Sequence, residues 1–242
     1  MTQLDRGCKI TWLGHAAFRV ESPKGKVILI DPWLGNPKAP AGALDALTRV
    51  DALLPTHAHG DHLGDTIEIA RRFQPEIPCV YELHLYLSGK GLEKTLPMNK
   101  GGAQTVAGGI QVTMVSADHS AGYQDDAIAP KRALYGGEPC GFVVELENGF
   151  RLYHAGDTNV FGDMKLIGEL YKPEVALLPI GGLFTMGPRE AAMAARFVGA
   201  PKVIPMHYGT FPPLAGTPAE LAKELSGSGI EVIALTPGET LQ

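Results

Sequence analysis

Apolar positions along the chain fall into short runs separated by turns rich in Gly and Pro. In the first half, period-two alternation and short continuous apolar runs predict strands at Lys9–Leu13, Ala17–Glu21, Lys26–Ile30, Asp51–Pro55 and Cys79–Tyr81. Helical spacing of apolar residues predicts an amphipathic helix over Leu63–Phe73 and another over Leu83–Gly91. The first half therefore reads as strands followed by alternating helices and strands.

The second half repeats this order. Strands are predicted at Ile110–Ser116, Gly141–Glu147, Phe150–His154, Val175–Pro179 and Val203–Met206, with a closing strand at Ile230–Leu235. Helices are predicted at Asp163–Tyr171, at Pro188–Val198, and from the capping-box sequence at Thr217 to about Leu225. This order predicts one domain over residues 1–242, with two β-sheets packed face to face and helices on the outer faces.

The sharpest polar feature is a cluster between the strand at Asp51–Pro55 and the helix predicted to follow it. Three imidazoles and one carboxylate lie within six residues, at His57, His59, Asp61 and His62. Imidazole nitrogen and carboxylate oxygen form the ligand set for Zn, Mn, Fe or Ni. A His-x-His pair followed by an Asp-His pair is enough to begin two metal sites. A solvent-exposed polar loop is the alternative, and the flanking apolar elements argue against it.

Further candidate ligands follow three other predicted strands. His119 comes after the strand at Ile110–Ser116, Asp157 after Phe150–His154, and His207 after Val203–Met206. Taken alone, each is more often the cap of a loop than a ligand. Together with the histidine cluster, they predict a site at the carboxyl ends of these strands, where sites gather in layered α/β folds.

Composition and charge exclude several functions. The 242 residues include 30 Gly, 19 Pro, 8 His and 3 Cys, and the formal net charge is −5. An acidic chain argues against general nucleic-acid binding and against a polybasic membrane surface, and no apolar stretch approaches the roughly 20 residues of a membrane-spanning helix. The N-terminal residues Met1–Arg6 lack an export-signal pattern, and the three widely spaced cysteines are typical of reduced thiols, so we expect a cytoplasmic protein.

The ligand series as a whole resembles the metallo-β-lactamase superfamily. Its members share a four-layer αββα sandwich, an α/β (α+β) fold with two mixed β-sheets and outer helices. The resemblance covers most of the chain, and Asp31 matches an aspartate that braces the metal loop in that family. The segments Trp12–Ala16 and Asp31–Leu34 resemble the branch that includes ascorbate-6-phosphate lactonase, and 179–188 and 204–212 resemble its small metal-dependent hydrolases.

This resemblance implies two divalent metal ions per chain, with Zn favoured and Mn, Ni or Fe possible. By position, the first ion is bound by His57, His59 and His119, the second by Asp61, His62 and His207, and Asp157 bridges both. The implied reaction is hydrolysis of an ester, lactone or phosphoester of a small metabolite, with a metal-bridging hydroxide as nucleophile. Asp61 is also a candidate for orienting the nucleophile or accepting its proton.

Several residues have open roles at this point. His15 is a candidate proton donor or substrate contact, and otherwise a structural hydrogen-bonding residue. His154 is interpreted as a buried support of the site, His84 as structural, and Tyr208 as either a substrate contact or a packed aromatic. The segment Ala121–Pro139 is expected to overhang the metals, with Lys131 and Arg132 either receiving an anionic substrate or simply solvated.

Two other functional classes remain open on the same scaffold. A diiron-type oxidoreductase would use the same ligands, although such proteins usually carry a flavodoxin domain for which this chain has no room. A non-catalytic metal-binding module is the other alternative, and the complete ligand set argues against it. We expect a small-molecule substrate, with no nucleic-acid or membrane partner, and the sequence leaves homo-oligomer formation open.

Overall fold

The computed structural model describes Leu4 and residues 6–242. Its strands are short, and most of the residues in them are buried. In chain order they are β1 Lys9–Trp12, β2 Phe18–Glu21, β3 Val27–Ile30, β4 Ala52–Leu54, β5 Ile77–Val80, β6 Thr95–Met98, β7 Ala103–Val106, β8 Ile110–Ser116, β9 Tyr123–Gln124, β10 Ala133–Leu134, β11 Cys140–Glu145, β12 Arg151–His154, β13 Val175–Pro179, β14 Lys202–Met206, β15 Glu231–Val232 and β16 Thr240–Leu241.

The helices are equally short. They are α1 Gly60–Leu63, α2 Thr66–Phe73, α3 Tyr81–Gly89, α4 Met164–Tyr171, α5 Pro188–Val198 and α6 Pro218–Glu224. The boundaries of α5 follow from local sequence, because Pro188 occupies its first turn and Gly199 ends it in a left-handed conformation. The capping box of α6 is present, with the Thr217 side chain accepting from the Glu220 backbone N–H.

Two mixed sheets form the centre of the molecule, as the sequence predicted. The first has the order β16-β1-β2-β3-β4 and is antiparallel except for the β3–β4 pair. The second has the order β15-β14-β13-β12-β11-β8-β7, with parallel pairing from β15 to β12 and antiparallel pairing from there to β7. The αββα fold class is therefore confirmed.

Strand β11 shows how the second sheet contributes to two cores. Phe142 and Val144 point toward the first sheet and join the large apolar core between the sheets. Val143 points to the other face, where it packs with buried residues of α4, α5 and α6. Because successive side chains of a strand face opposite sides, a strand covered on both faces is apolar at every position. The continuous apolar run from Phe142 to Val144 agrees with burial on both faces of the sheet.

The helix predicted over Leu63–Phe73 is wrong in its extent, since two helices occupy this region. α1 ends at Leu63, and the chain breaks at Gly64 before α2 begins at Thr66. Gly64 has φ +42, and a Cβ atom there would lie 2.6 Å from the Cα atom of Trp33. Tight packing against the segment after β3 therefore forces the helix to break at Gly64. The apolar pattern of the local sequence did not predict this break.

The prediction of Ile230–Leu235 as the closing strand is also wrong. Only Glu231–Val232 is a strand there, and the chain ends in β16, which pairs antiparallel with β1 in the first sheet. Strands β6, β7, β9, β10 and β16 were not predicted, because each is short and carries few apolar residues. Tertiary pairing, not local propensity, stabilises them.

None of the helices in the described part of the chain is long and apolar enough to cross a membrane. Most of the N-terminal segment on which the export expectation rests, namely Met1, Thr2, Gln3 and Asp5, lies outside the described residues.

Candidate metal centre

Five loops at strand ends bring the candidate ligands to one edge of the sandwich. Asp31 follows β3, and the cluster from His57 to His62 follows the neighbouring parallel strand β4. His119, Asp157 and His207 follow β8, β12 and β14 of the second sheet. Because both sheets contribute loops at this edge, residues from distant parts of the chain meet there. The site lies between the two sheets and not on either one alone.

The first group consists of His57, His59 and His119, whose ligand atoms all lie within 4.8 Å of one another. The Nε2 atom of His57 is 2.9 Å from Nδ1 of His59, so two imidazole nitrogens point at the same small volume. His57 is buried, whereas His59 and His119 are half-buried. These are the three residues that the sequence assigned to the first ion.

The second group consists of Asp61, His62 and His207, joined by His15. The rings of His62 and His207 stack with centroids 5.4 Å apart. The Nε2 atom of His207 is 3.7 Å from Oδ2 of Asp61. The structure thus brings together the three residues that the sequence assigned to the second ion, and it adds a fourth side chain.

Asp157 lies between the two groups. Its Oδ2 atom is 3.0 Å from Nε2 of His207, 3.1 Å from Nε2 of His62 and 3.6 Å from Nε2 of His119. This carboxylate therefore contacts residues of both groups, and the bridging role that the family resemblance implies for it stays a prediction.

Asp31 orients His62 directly and His57 through the hydroxyl of Thr56. Its Oδ2 atom is 2.7 Å from Nδ1 of His62 and accepts a hydrogen bond from the Thr56 hydroxyl at 2.8 Å. Nδ1 of His57 donates to that hydroxyl at 3.0 Å. Both ring Nδ1 atoms are thereby engaged, which leaves the two Nε2 atoms facing the cluster as the nitrogens that can bind a metal once deprotonated.

His15 holds the outer face of the second group. Burial lowers its pKa to about 4, so the ring is neutral. Its Nε2–H donates to Asp61 Oδ2 at 3.0 Å, and its Nδ1 accepts from the hydroxyl of Thr210 at 2.9 Å. His15 therefore faces the site, but it acts there as a buried hydrogen-bond donor to Asp61. Its role as a proton donor to substrate stays a prediction.

The charge states of the other ligands depend on two opposing effects, burial and the charges of neighbouring side chains. Burial acts to raise the pKa of Asp157, but the positive charges of His62 and His207 outweigh it and hold the pKa well below its ordinary value. Burial acts to lower the pKa of His207, but the Asp157 carboxylate raises it to about 9. The pKa of His57, which lacks a carboxylate in contact, is lowered well below its ordinary value, chiefly by burial. Without metal, Asp157 therefore carries a negative charge, His207 is protonated and His57 is neutral.

Three residues of this site have a left-handed backbone conformation. His15, Asp31 and His207 have φ values of +52, +46 and +54, in the left-handed region that side chains with a Cβ rarely adopt. The backbone N–H of His207 donates to the carbonyl of His15 at 2.9 Å, which joins two of these positions. Left-handed residues cluster at functional sites, because surrounding structure must maintain them.

The other candidates lie outside the cluster. His154 is buried beneath it, where Nε2 donates to the carbonyl of Ala16 and Nδ1 accepts from the backbone N–H of Gly156. It thereby holds the turn that precedes Asp157, which fits its interpretation as a buried support. Tyr208 stacks on Trp12 with ring centroids 5.3 Å apart, and burial raises its pKa to about 12.

His84 hydrogen-bonds to Thr95 through Nδ1, in agreement with a structural role. The segment expected to overhang the metals contains the β9–β10 hairpin, and Asp125 ties it to Tyr86 of α3 and to Lys90, which follows that helix. Lys131 and Arg132 are exposed in this hairpin, and neither forms an ion pair with a candidate ligand among the described residues.

The sequence did not reveal the role of two hydroxyl residues that support the site. Thr56 bridges Asp31 and His57, and Thr210 bonds to His15 across 195 positions. Their only sequence signal was proximity to a candidate ligand, which many threonines share.

Comparison with known proteins identifies the family. The family described as "Beta-lactamase superfamily domain" matches residues 26–208. The chain belongs to this superfamily. A "UPF0173 metal-dependent hydrolase" of Koribacter versatilis is 50% identical over 236 residues, which cover 97% of this chain and 98% of that protein. The chain is therefore a member of the metal-dependent hydrolases of the superfamily.

Solved structures agree on the fold. A metallo hydrolase from the hyperthermophilic archaeon Ignicoccus hospitalis shares 38% identity and a TM-score of 0.85, over 97% of both chains. CmlA, a diiron β-hydroxylase from Streptomyces venezuelae, shares 14% identity and a TM-score of 0.75, over 97% of this chain and 54% of that one. The second likeness shows the αββα scaffold alone.

Proposed function

We propose that this protein is a dinuclear metal-dependent hydrolase. His57, His59 and His119 would hold the first ion, and Asp61, His62 and His207 the second, with Asp157 shared between them. Zn is the favoured metal, and Mn, Ni and Fe suit the same mixture of imidazole and carboxylate ligands.

A set of buried polar atoms without hydrogen bonds carries the proposal. Nε2 of His62, Nε2 of His207 and Oδ1 of Asp157 are all buried, and none has a partner in hydrogen-bond geometry among the described residues. The two Nε2 atoms lie 3.1 Å and 3.0 Å from Oδ2 of Asp157, as an ion pair without that geometry. Buried polar atoms of folded proteins are almost always satisfied, so such a cluster requires an explanation. Imidazole nitrogen and carboxylate oxygen that converge at one place fit divalent cations, which would satisfy all three atoms at once.

Two bound divalent cations supply a water of lowered pKa as nucleophile, together with Lewis-acid stabilisation of the substrate oxygen. The residues of this chain position that chemistry. Asp31 and Thr56 fix the rings of His62 and His57, and the neutral ring of His15 fixes the carboxylate of Asp61. Asp61 is the candidate proton acceptor, because its carboxylate is the most exposed of the second group.

The reaction proposed is cleavage of an ester, lactone or phosphoester of a small molecule, without a nucleic-acid or membrane partner. A cytoplasmic location is supported by Cys8, Cys79 and Cys140, which are all buried and free, as in proteins of reducing compartments.

Metal analysis of the purified and reconstituted protein tests the proposal. We expect two ions per chain in the wild type, and fewer ions with no turnover of a lactone or phosphodiester in His59→Ala and Asp157→Ala. His84→Ala is the matched control, because the hydrogen bonds of His84 within the described part of the chain go to Thr95 and Ser88 and not to a candidate ligand. This variant should keep both ions and full activity. Full metal content and activity in both ligand variants would contradict the proposal.

The diiron oxidoreductase is the alternative that the same measurement separates. Redox-active iron together with oxygen consumption would favour it. Zn, Mn or Ni together with ester cleavage would favour hydrolysis.

A further inference from the structure

An aromatic pair stands directly beside the second group of ligands. Trp33 and Phe211 stack with ring centroids 6.0 Å apart and an interplanar angle of 26°. Both rings form T-shaped contacts with the ring of His15, at centroid distances of 5.3 Å and 6.0 Å. His15 in turn bonds to Asp61, so a single imidazole separates the aromatic pair from a candidate metal ligand. Phe211 is 39% exposed and Trp33 is half-buried, so apolar surface remains uncovered at this position.

A second exposed apolar pair stands on a neighbouring loop. Leu183 and Phe184 are 73% and 58% exposed. They occupy a tight turn in which Phe184 N–H donates to the carbonyl of Gly182. Leu183 has φ +48, a conformation that is a genuine outlier for a bulky side chain. A strained backbone that displays two large apolar side chains to solvent is costly, and such features persist where function requires them.

The two loops pack against each other and against the candidate ligands. The backbone N–H of Gly216 donates to the carbonyl of Gly181, so the loop after β14 that carries Phe211 adjoins the Leu183 turn. A Cβ atom on Gly181 would lie 2.2 Å from the carbonyl oxygen of His207. The turn is tied on its other side to Thr158, next to Asp157, by the N–H of Met186. Four side chains, the half-buried Trp33 and the exposed Leu183, Phe184 and Phe211, are here called the apolar rim.

Histidines are the charged partners of the carboxylates in the site. Among the described residues, every ion pair of Asp61 and Asp157 is formed with a histidine, and none with Lys or Arg. A pocket built for a phosphorylated or carboxylated substrate usually presents Arg or Lys to the anion. The rim offers aromatic and aliphatic surface instead.

We propose that the apolar rim binds an alkyl or aryl group of the substrate, so that the site acts on neutral apolar esters or lactones and not on phosphorylated sugars. This proposal rests on the proposed hydrolase function. The rim would take the apolar group while the carbonyl lies over the ligand cluster.

A lactone series with one reactive ring tests the proposal. We expect kcat/KM of the Zn-loaded protein to rise about 2-fold per methylene, or about 30-fold from γ-valerolactone to γ-decalactone. The increase is smaller than for full burial because the apolar rim covers only one side of each methylene. In Phe211→Ala and Leu183→Ala this dependence should flatten. Leu170→Ala is the matched control, because Leu170 is equally exposed, at 70%, but lies on α4 at the outer face.

A binding measurement separates this proposal from the hydrolase proposal. 1-Octanol should change the fluorescence of Trp33 in the metal-free protein, ethanol at the same concentration should not, and Trp33→Phe should abolish the response. Hydrolysis that is independent of chain length, or faster for gluconolactone 6-phosphate than for γ-decalactone, would contradict the role of the rim and leave the hydrolase proposal intact. Binding of 1-octanol without hydrolysis of any lactone, ester or phosphodiester would support the rim and contradict the hydrolase proposal. Equal responses to 1-octanol and ethanol would contradict the role of the rim.

Discussion

Oδ2 of Asp31 lies 2.7 Å from Nδ1 of His62, and both side chains are completely buried. Asp31 follows β3 and has a left-handed backbone, whereas His62 lies on α1, after the next strand of the same sheet. The contact aims the other nitrogen of His62, Nε2, at Asp157. Much of the site depends on this pair, because the same Asp31 oxygen also accepts from Thr56.

Replacement of Asp31 by the isosteric Asn tests that dependence. We expect Asp31→Asn to weaken binding of one ion about 10- to 100-fold, because an amide orients the His62 ring less strongly and removes a buried negative charge. Competitive chelator titration with Zn measures the affinity. Asp45→Asn is the control, because Asp45 is exposed and belongs to none of the candidate ligand groups. Unchanged affinity in both variants would show that Asp31 does not support the ligand.

Metal loading should release protons in a pH-dependent manner. The Asp157 carboxylate raises the pKa of His207 to about 9 against the opposing effect of burial, and carboxylates likewise raise that of His62 well above its ordinary value. Because a metal binds only the deprotonated ring, loading at pH 7 must displace these protons. Apparent affinity should therefore increase with pH up to about 9.

Isothermal titration with Zn in buffers of different ionisation enthalpy measures the number of protons. We expect between one and two protons at pH 7, and fewer above the pKa of His207. Release of no protons at pH 7 would contradict the charge states derived from Asp157 and its neighbours.

The break at Gly64 should be essential to stability. In Gly64→Ala the new Cβ would lie 2.6 Å from the Cα atom of Trp33, at a φ of +42, so we expect a loss of about 2–4 kcal/mol in the free energy of unfolding. Gly89→Ala is the control, because a Cβ there meets nothing within 4 Å at the end of α3. It should leave stability unchanged or raise it by about 0.5 kcal/mol. Urea denaturation gives both values, and equal stability of the two variants would refute the explanation.

The C-terminal strand should contribute to the first sheet. Leu241 is buried and pairs with Ile10 of β1, so Leu241→Ala should reduce the free energy of unfolding by about 2–4 kcal/mol. The number of ions per folded chain should stay the same, because the strand carries no candidate ligand. Leu170→Ala serves as the exposed control in the same urea experiment. A Leu241→Ala variant as stable as the control would mean that β16 is not held in the sheet.

The local sequence already contained much of the site. Each candidate ligand follows a strand that its apolar pattern predicts, as His207 does after β14, so short-range information located these residues. The order of elements was enough for the αββα class, since apolar strands buried on both faces have few other arrangements. Element boundaries were accurate where caps specify them, as at Pro188 and Thr217.

Only the tertiary structure decided which of these residues meet. The hydrogen bond between His15 and Thr210 spans 195 positions, and the stack of Trp33 on Phe211 joins loops after strands of two different sheets. Gly64 breaks a helix because another segment packs against it. Such contacts depend on how the two sheets are placed against each other, and no local propensity encodes that placement. The sequence thus determined the chemistry available at the strand ends, and the packing of the sheets determined how that chemistry is oriented and which surface adjoins it.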